Sequence, residues 1–128
     1  MKTRLDPIIA VRDVGVSRDW YRSVFAWQSR HDGDEFAVMA DRQGEIQLCL
    51  HRWGAHDHPT MMQADISPGN GLILYVCTGD LQDTHDRVIT LGFPMEADLA
   101  QNPNSGQQEF ALRDPDGYYL IVSAFHAY

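Results

Sequence analysis

The chain has 128 residues, enough for one compact domain and too few for two of ordinary size. Its composition, 44% hydrophobic and 22% charged, is that of a globular protein rather than a disordered or fibrous one. Ten basic against eighteen acidic residues leave a net charge of −8, which disfavours nucleic acid or an anionic membrane as partner and suits a cationic ligand better.

The opening Met1-Lys2-Thr3-Arg4-Leu5-Asp6-Pro7 lacks the apolar core of a signal peptide. No apolar run approaches the roughly 20 residues that span a bilayer. Pro7 to Val11 is a short β-branched run and a first strand. Ser17 is placed to cap a helix from Arg18 to about Phe25, with Trp20, Tyr21, Val24 and Phe25 on one face. Asp32-Gly33-Asp34 turns the chain into a second strand from Glu35 to Ala40, and Asp41-Arg42-Gln43-Gly44 into a third from Glu45 to His51. Arg52 to Asn70, with Gly54, Pro59, Pro68 and Gly69, is expected to be a mobile linker or flap.

Gly71 to Thr78 is the next strand, and Asp80 to Leu91 a second helix stopped by Gly92. Phe93 to Glu96 has room for a brief pairing, and Ala97 to Gly106 is expected as a loop. Gln107 to Arg113 and Tyr118 to Ala124 are strands joined by the tight turn Asp114-Pro115-Asp116-Gly117. Cys49 and Cys77 lie inside apolar runs, which points to two reduced thiols and a cytoplasmic compartment.

The second half restates the first. Asp13-Val14 and Asp80-Leu81 each open an amphipathic stretch, which ends at Phe25-Ala26-Trp27 and at Leu91-Gly92-Phe93. Glu35-Phe36-Ala37 is echoed by Glu109-Phe110-Ala111. A repeat of about half the chain suggests paired supersecondary modules, which can enclose a pocket, rather than a solenoid of many short units.

Two segments carry a family resemblance. Gln107 through Tyr118, with Arg113-Asp114-Pro115-Asp116-Gly117, resembles the closing hairpin of the vicinal oxygen chelate superfamily, the glyoxalase, bleomycin-resistance and extradiol-dioxygenase family. Val11-Arg12-Asp13-Val14 through Asp19-Trp20-Tyr21 and Phe25-Ala26-Trp27 resembles its opening strand-helix signature, with Ala26 where the family usually has Gly. The resemblance implies an α+β fold. Two βαβββ modules, about 1–60 and 70–128 of a single domain over 1–128, would form a cupped eight-stranded mixed sheet with helices on the outside. It also implies a homodimer.

The resemblance further implies four metal-ligand positions on strands, at Asp6, Gln47, Ile73 and Ile121. Two of these are aliphatic, and the neighbours Leu72, Leu74, Leu120 and Val122 offer no donor either. The expectation is therefore a protein without cofactor or metal, like the bleomycin-resistance branch, that sequesters an antibiotic, toxin or other cationic or aromatic small molecule. Strand parity gives the ligand-binding candidates Asp6, Gln47, His51, Tyr75, Tyr119 and Ser123, with Trp53 as a stacking aromatic. Cys49 is read as a packing residue.

An alternative stays open. His56 and His58, two apart in an extended segment, would turn both rings to one side. With His51, Asp6 and Gln47 they would make a non-standard divalent metal site for a lyase, isomerase or dioxygenase. Solvated histidines in a polar loop are the plainer expectation, because Gly54 and Pro59 flank them.

Overall fold

The computed structural model describes residues 4–31, 33–66 and 69–126. Three features named from the sequence lie outside these residues: the segment Met1–Thr3, Asp32 of the first turn and Pro68 of the linker. The chain divides into two compact units, residues 1–68 and 69–128. Each unit holds one βαβββ module, so the duplication expected from the sequence is present.

In the first unit β1 (Ile8–Val11) leads into α1 (Val14–Phe25), followed by β2 (Gln28–Arg30), β3 (Phe36–Ala40) and β4 (Ile46–Arg52). The sheet order is β1-β4-β3-β2, with β1 parallel to β4 and the other pairs antiparallel. The helix packs on β3 and β4. It buries Val14, Tyr21 and Val24 completely or nearly so, and Tyr21, Phe25 and Trp27 stack face to face. Each such side chain contributes roughly 1.5–3 kcal/mol by leaving water.

Two local expectations for this unit are corrected. The helix is capped by Asp13, whose Oδ1 accepts from the Val16 backbone N–H at 3.0 Å, and Ser17 is buried inside it. A carboxylate satisfies an orphan donor of the first turn, so the helix begins one turn before the sequence placed it. The strand β2 is not among the strands expected from the sequence. Its polar run Gln28-Ser29-Arg30 sits at the sheet edge, where alternation carries little signal.

The second unit runs β5 (Leu74–Thr78), α2 (Leu81–Leu91), β6 (Ala97–Gln101), β7 (Gln108–Arg113) and β8 (Tyr119–Ala124), in the order β5-β8-β7-β6. Its core holds Val88, Phe110, Leu112, Leu120 and Val122. The segment from Ala97, expected as a loop, forms the edge strand β6; its partners on β7 supply the ladder that its own composition does not predict. The closing turn forms as expected. Asp114 Oδ1 accepts from the Asp116 and Tyr118 backbone N–H groups, both at 2.9 Å, and Gly117 takes φ 91°. Cys49 and Cys77 are both free thiols. No helix among the described residues is long and apolar enough to cross a membrane.

Candidate functional site

His56 and His58 are exposed, as expected of a polar loop, but the segment folds back on buried His51. His51 lies on β4, the central strand between β1 and β3, where it pairs with Ala10 on one side and Phe36 on the other. Only 3% of it is exposed. Beyond the strand, Gly54 (φ 78°) turns the chain, and two 3-10 turns follow at Ala55–Asp57 and Pro59–Met61. The Gly54 N–H donates to the Met61 carbonyl at 2.7 Å, and the Met61 N–H to the His58 carbonyl at 2.9 Å. These bonds close the segment on itself and bring His56 and His58 to His51.

The expected extended run through His56 and His58 is therefore corrected. His56 (φ 64°) and Asp57 (φ 54°) are both left-handed, which costs a non-glycine residue roughly 1–3 kcal/mol and persists only where the surroundings enforce it. Such strain is concentrated at functional sites. The ring centres of His51 and His58 are 4.9 Å apart, and those of His51 and His56 5.3 Å. One nitrogen from each of the three rings lies within 4.8 Å of the others.

The hydrogen-bond partners decide which nitrogens carry protons. His51 Nδ1 faces the Arg52 carbonyl at 2.9 Å. A carbonyl only accepts, so Nδ1 donates and Nε2 keeps a lone pair. His56 Nε2 faces Glu35 Oε2 at 3.2 Å, so it donates to the carboxylate and leaves the lone pair on Nδ1. His51 Nε2 and His56 Nδ1 then meet at 3.2 Å, lone pair to lone pair. That contact needs a cation between the two nitrogens.

A proton would serve for two rings, but the third ring makes the set a metal-ligand constellation. Imidazole nitrogens bind zinc at about 2.0–2.1 Å, which puts neighbouring ligands of a tetrahedron about 3.3 Å apart. The 3.2 Å separation of His51 and His56 fits that spacing, and exposed His58 offers a third nitrogen within a wider 4.8 Å of the others. The expectation of a protein without metal or cofactor is overturned by this cluster. The strand positions implied by the resemblance, where Ile73 and Ile121 offer no donor, pointed away from a metal, and the alternative set with His51, His56 and His58 stood behind the plainer expectation of solvated histidines between Gly54 and Pro59.

The other residues named from the sequence are distributed as follows. Asp6 pairs with Arg4, whose Nη2 donates to Oδ2 at 2.8 Å. Gln47 is exposed on β4 and donates from Nε2 to Asp41 Oδ2 at 3.1 Å. Trp53, directly after β4, is half-buried, and its backbone N–H donates to the Val11 carbonyl at 3.1 Å. In the second unit Tyr75 on β5 stands edge-on to the His126 ring, Tyr119 on β8 lies under the Arg113 guanidinium at 5.4 Å, and Ser123 is buried. That unit has a cleft of about 360 Å³ lined by Asp98, Asn102, Glu109, Tyr119 and Ile121 among others. Burial pushes the Cys49 thiol above its ordinary range, as expected of a packing residue.

Glu35, one half of the repeated Glu-Phe-Ala echo, is half-exposed and joins two partners: Arg52 Nη2 donates to Oε1 at 3.1 Å while Oε2 takes His56. Hairpin register was the available signal. The turn at Asp41–Gly44 sets Phe36 opposite His51, and so places Glu35 beside Arg52.

The chain belongs to the Glyoxalase/Bleomycin resistance protein/Dioxygenase superfamily, whose family profile matches residues 4–122. Among solved structures it is similar to a virulence protein from Salmonella typhimurium, with 16% identity, 98% of this chain and 99% of that chain covered, and a TM-score of 0.74. TioX from Micromonospora sp. ML1 is similar at 18% identity, with 98% and 100% covered and a TM-score of 0.76. A bleomycin resistance determinant encoded on the transposon Tn5 is similar at 15% identity, with 98% and 100% covered and a TM-score of 0.71. At such identities the likeness is one of fold. No curated protein matches the chain significantly.

Proposed function

We propose that this protein is a metal-dependent member of the superfamily, a lyase, isomerase or dioxygenase, whose divalent ion is held by His51, His56 and His58. The observation that carries this reading is the 3.2 Å approach of His51 Nε2 to His56 Nδ1 with a third imidazole beside it. When bound, the ion supplies Lewis-acid polarisation of a substrate oxygen at its remaining coordination positions.

The protein's own residues determine the rest. Three imidazoles select borderline metals such as zinc, iron, nickel or copper over magnesium and calcium, which prefer oxygen ligands. All three ligands are neutral, so they leave the ion's charge undiminished for an anionic or electron-rich oxygen. His51 is anchored in the sheet and excludes water from its side, whereas exposed His56 and His58 leave the opposite side open to a small molecule. Trp53 is the aromatic best placed along the chain to stack on a substrate ring. In the second unit, Tyr119 and Glu109 of the cleft supply a phenol and a carboxylate suited to an amphipathic or cationic group.

Metal analysis tests the reading. Protein dialysed against stoichiometric zinc or cobalt is expected to retain about one ion per chain. The His56→Ala/His58→Ala pair of substitutions should reduce retention to background with an unchanged circular dichroism spectrum. Wild-type protein that holds no ion, or a double variant that holds as much as wild type, would overturn it.

A further inference from the structure

We infer that Glu35 is a positioning residue for this metal set, and that Glu35 and the Arg52 carbonyl together select His51 Nε2 and His56 Nδ1 as the ligating atoms. The inference rests on the metal reading above and deepens it.

Glu35 is held at both ends. The Arg52 N–H donates to its backbone carbonyl at 2.9 Å, and the Arg52 guanidinium takes Oε1 at 3.1 Å. With one oxygen and the backbone carbonyl engaged by the same residue, Oε2 lies 3.2 Å from His56 Nε2. Only an Nε2–H tautomer of His56 satisfies that contact, and this tautomer turns the Nδ1 lone pair toward His51. The Arg52 carbonyl does the same to His51 from the opposite side, taking its Nδ1–H so that Nε2 is the free nitrogen. Arg52 therefore serves both rings, one through its carbonyl and one through Glu35. A carboxylate behind a ligating imidazole also raises its basicity, and removing such a partner typically weakens metal binding about 10–100-fold.

The left-handed backbone at His56 fits this role. In that conformation the ring spans from Glu35 to His51, with one nitrogen at 3.2 Å from each. The strain at His56 and Asp57 is thus matched by two contacts that fix the ring at both ends.

The experiment measures zinc affinity by competition with a chromophoric chelator, and the d–d absorption of the cobalt form, for wild type, Glu35→Ala and Glu35→Gln. Glu35→Ala is expected to weaken zinc binding about 10–100-fold and alter the cobalt bands. Glu35→Gln keeps the shape and an acceptor oxygen, so it should fall between wild type and Ala, and it covers the case in which the Ala variant folds poorly. Imidazole ¹⁵N shifts of the zinc form should report ligation through Nε2 at His51 and Nδ1 at His56. Wild-type protein that binds no ion would sink the metal reading and this inference with it. Tight wild-type binding with both Glu35 variants unchanged, or ligation through the opposite nitrogens, would overturn this inference alone.

Discussion

His51 Nε2 and His56 Nδ1 face each other at 3.2 Å while an oxygen acceptor stands behind each ring, the Arg52 carbonyl for one and the Glu35 carboxylate for the other. Two imidazoles so oriented repel unless a cation lies between them. The rings come from a rigid strand and from a strained turn, so the site joins the most fixed part of the first unit to a part whose conformation the fold must impose.

Zinc should raise the stability of the folded protein by mass action. At a free concentration one hundred times the Kd, the gain is about 2.7 kcal/mol. Thermal unfolding with zinc, with magnesium and with a chelator checks this: zinc should raise Tm, magnesium should leave it in place, and the His56→Ala/His58→Ala protein should respond to neither.

Ala26 ends α1 in the left-handed conformation, at φ 59° and ψ 29°. A residue with a Cβ there costs roughly 1–2 kcal/mol, partly offset in any glycine replacement by roughly 0.5–1 kcal/mol of chain entropy. Ala26→Gly should therefore stabilise by about 0.5–1 kcal/mol, and Ala26→Val should destabilise. Urea unfolding midpoints of the three proteins measure it, and a destabilised Gly variant would contradict the account.

The hydrogen bond from His85 holds the Asp98 carboxyl below the usual range, helped by the Leu99 N–H. A depressed folded pKa means that the unfolded chain takes up the proton first as pH falls. The stabilisation is then present above the ordinary aspartate pKa and is lost as pH falls through the lower folded value. In Asp98→Asn the stability difference from wild type should be constant near neutrality and close on acidification, as read from urea unfolding across that range. Because Asp98 is on the surface, added salt should shrink the difference.

Burial raises the thiols of Cys49 and Cys77, with Cys77 partly compensated by a backbone hydrogen bond from His126. Cys49 is buried and Cys77 half-buried. A disulfide reagent should therefore titrate one faster and one slower thiol in the native protein, and both together in denaturant. The slower phase should disappear in Cys49→Ser. Raised thiol values also mean that the folded form binds its protons longer, so stability attributable to Cys49 should fall as pH rises past the ordinary thiol range.

Much of the fold was legible because it depends on local pattern. Asp114-Pro115-Asp116-Gly117 specifies a turn through the φ of Pro, the acceptor oxygens of Asp114 and the free backbone of Gly117. The apolar faces of α1 and α2 and the apolar runs of β4 and β8 indicate elements through their pattern. The edge strands β2 and β6 were not legible. β2 is polar on both faces and β6 carries only Ala97, Leu99 and Ala100 without a clear alternation, and the ladder that holds each belongs to β3 and β7.

Pattern and period determined that this chain makes two copies of a strand-helix-strands unit, and the sequence put aliphatic groups in its second half where the resemblance implied metal donors. Only the tertiary structure decided that three histidines separated by Gly, Asp and other loop residues converge. Their meeting depends on a left-handed turn at His56-Asp57, a Gly54-to-Met61 backbone bond, and the pairing of β3 with β4 that carries Glu35 to His56. None of these has a periodic signature, because each is a contact between residues whose neighbours in sequence say nothing about where the chain will return.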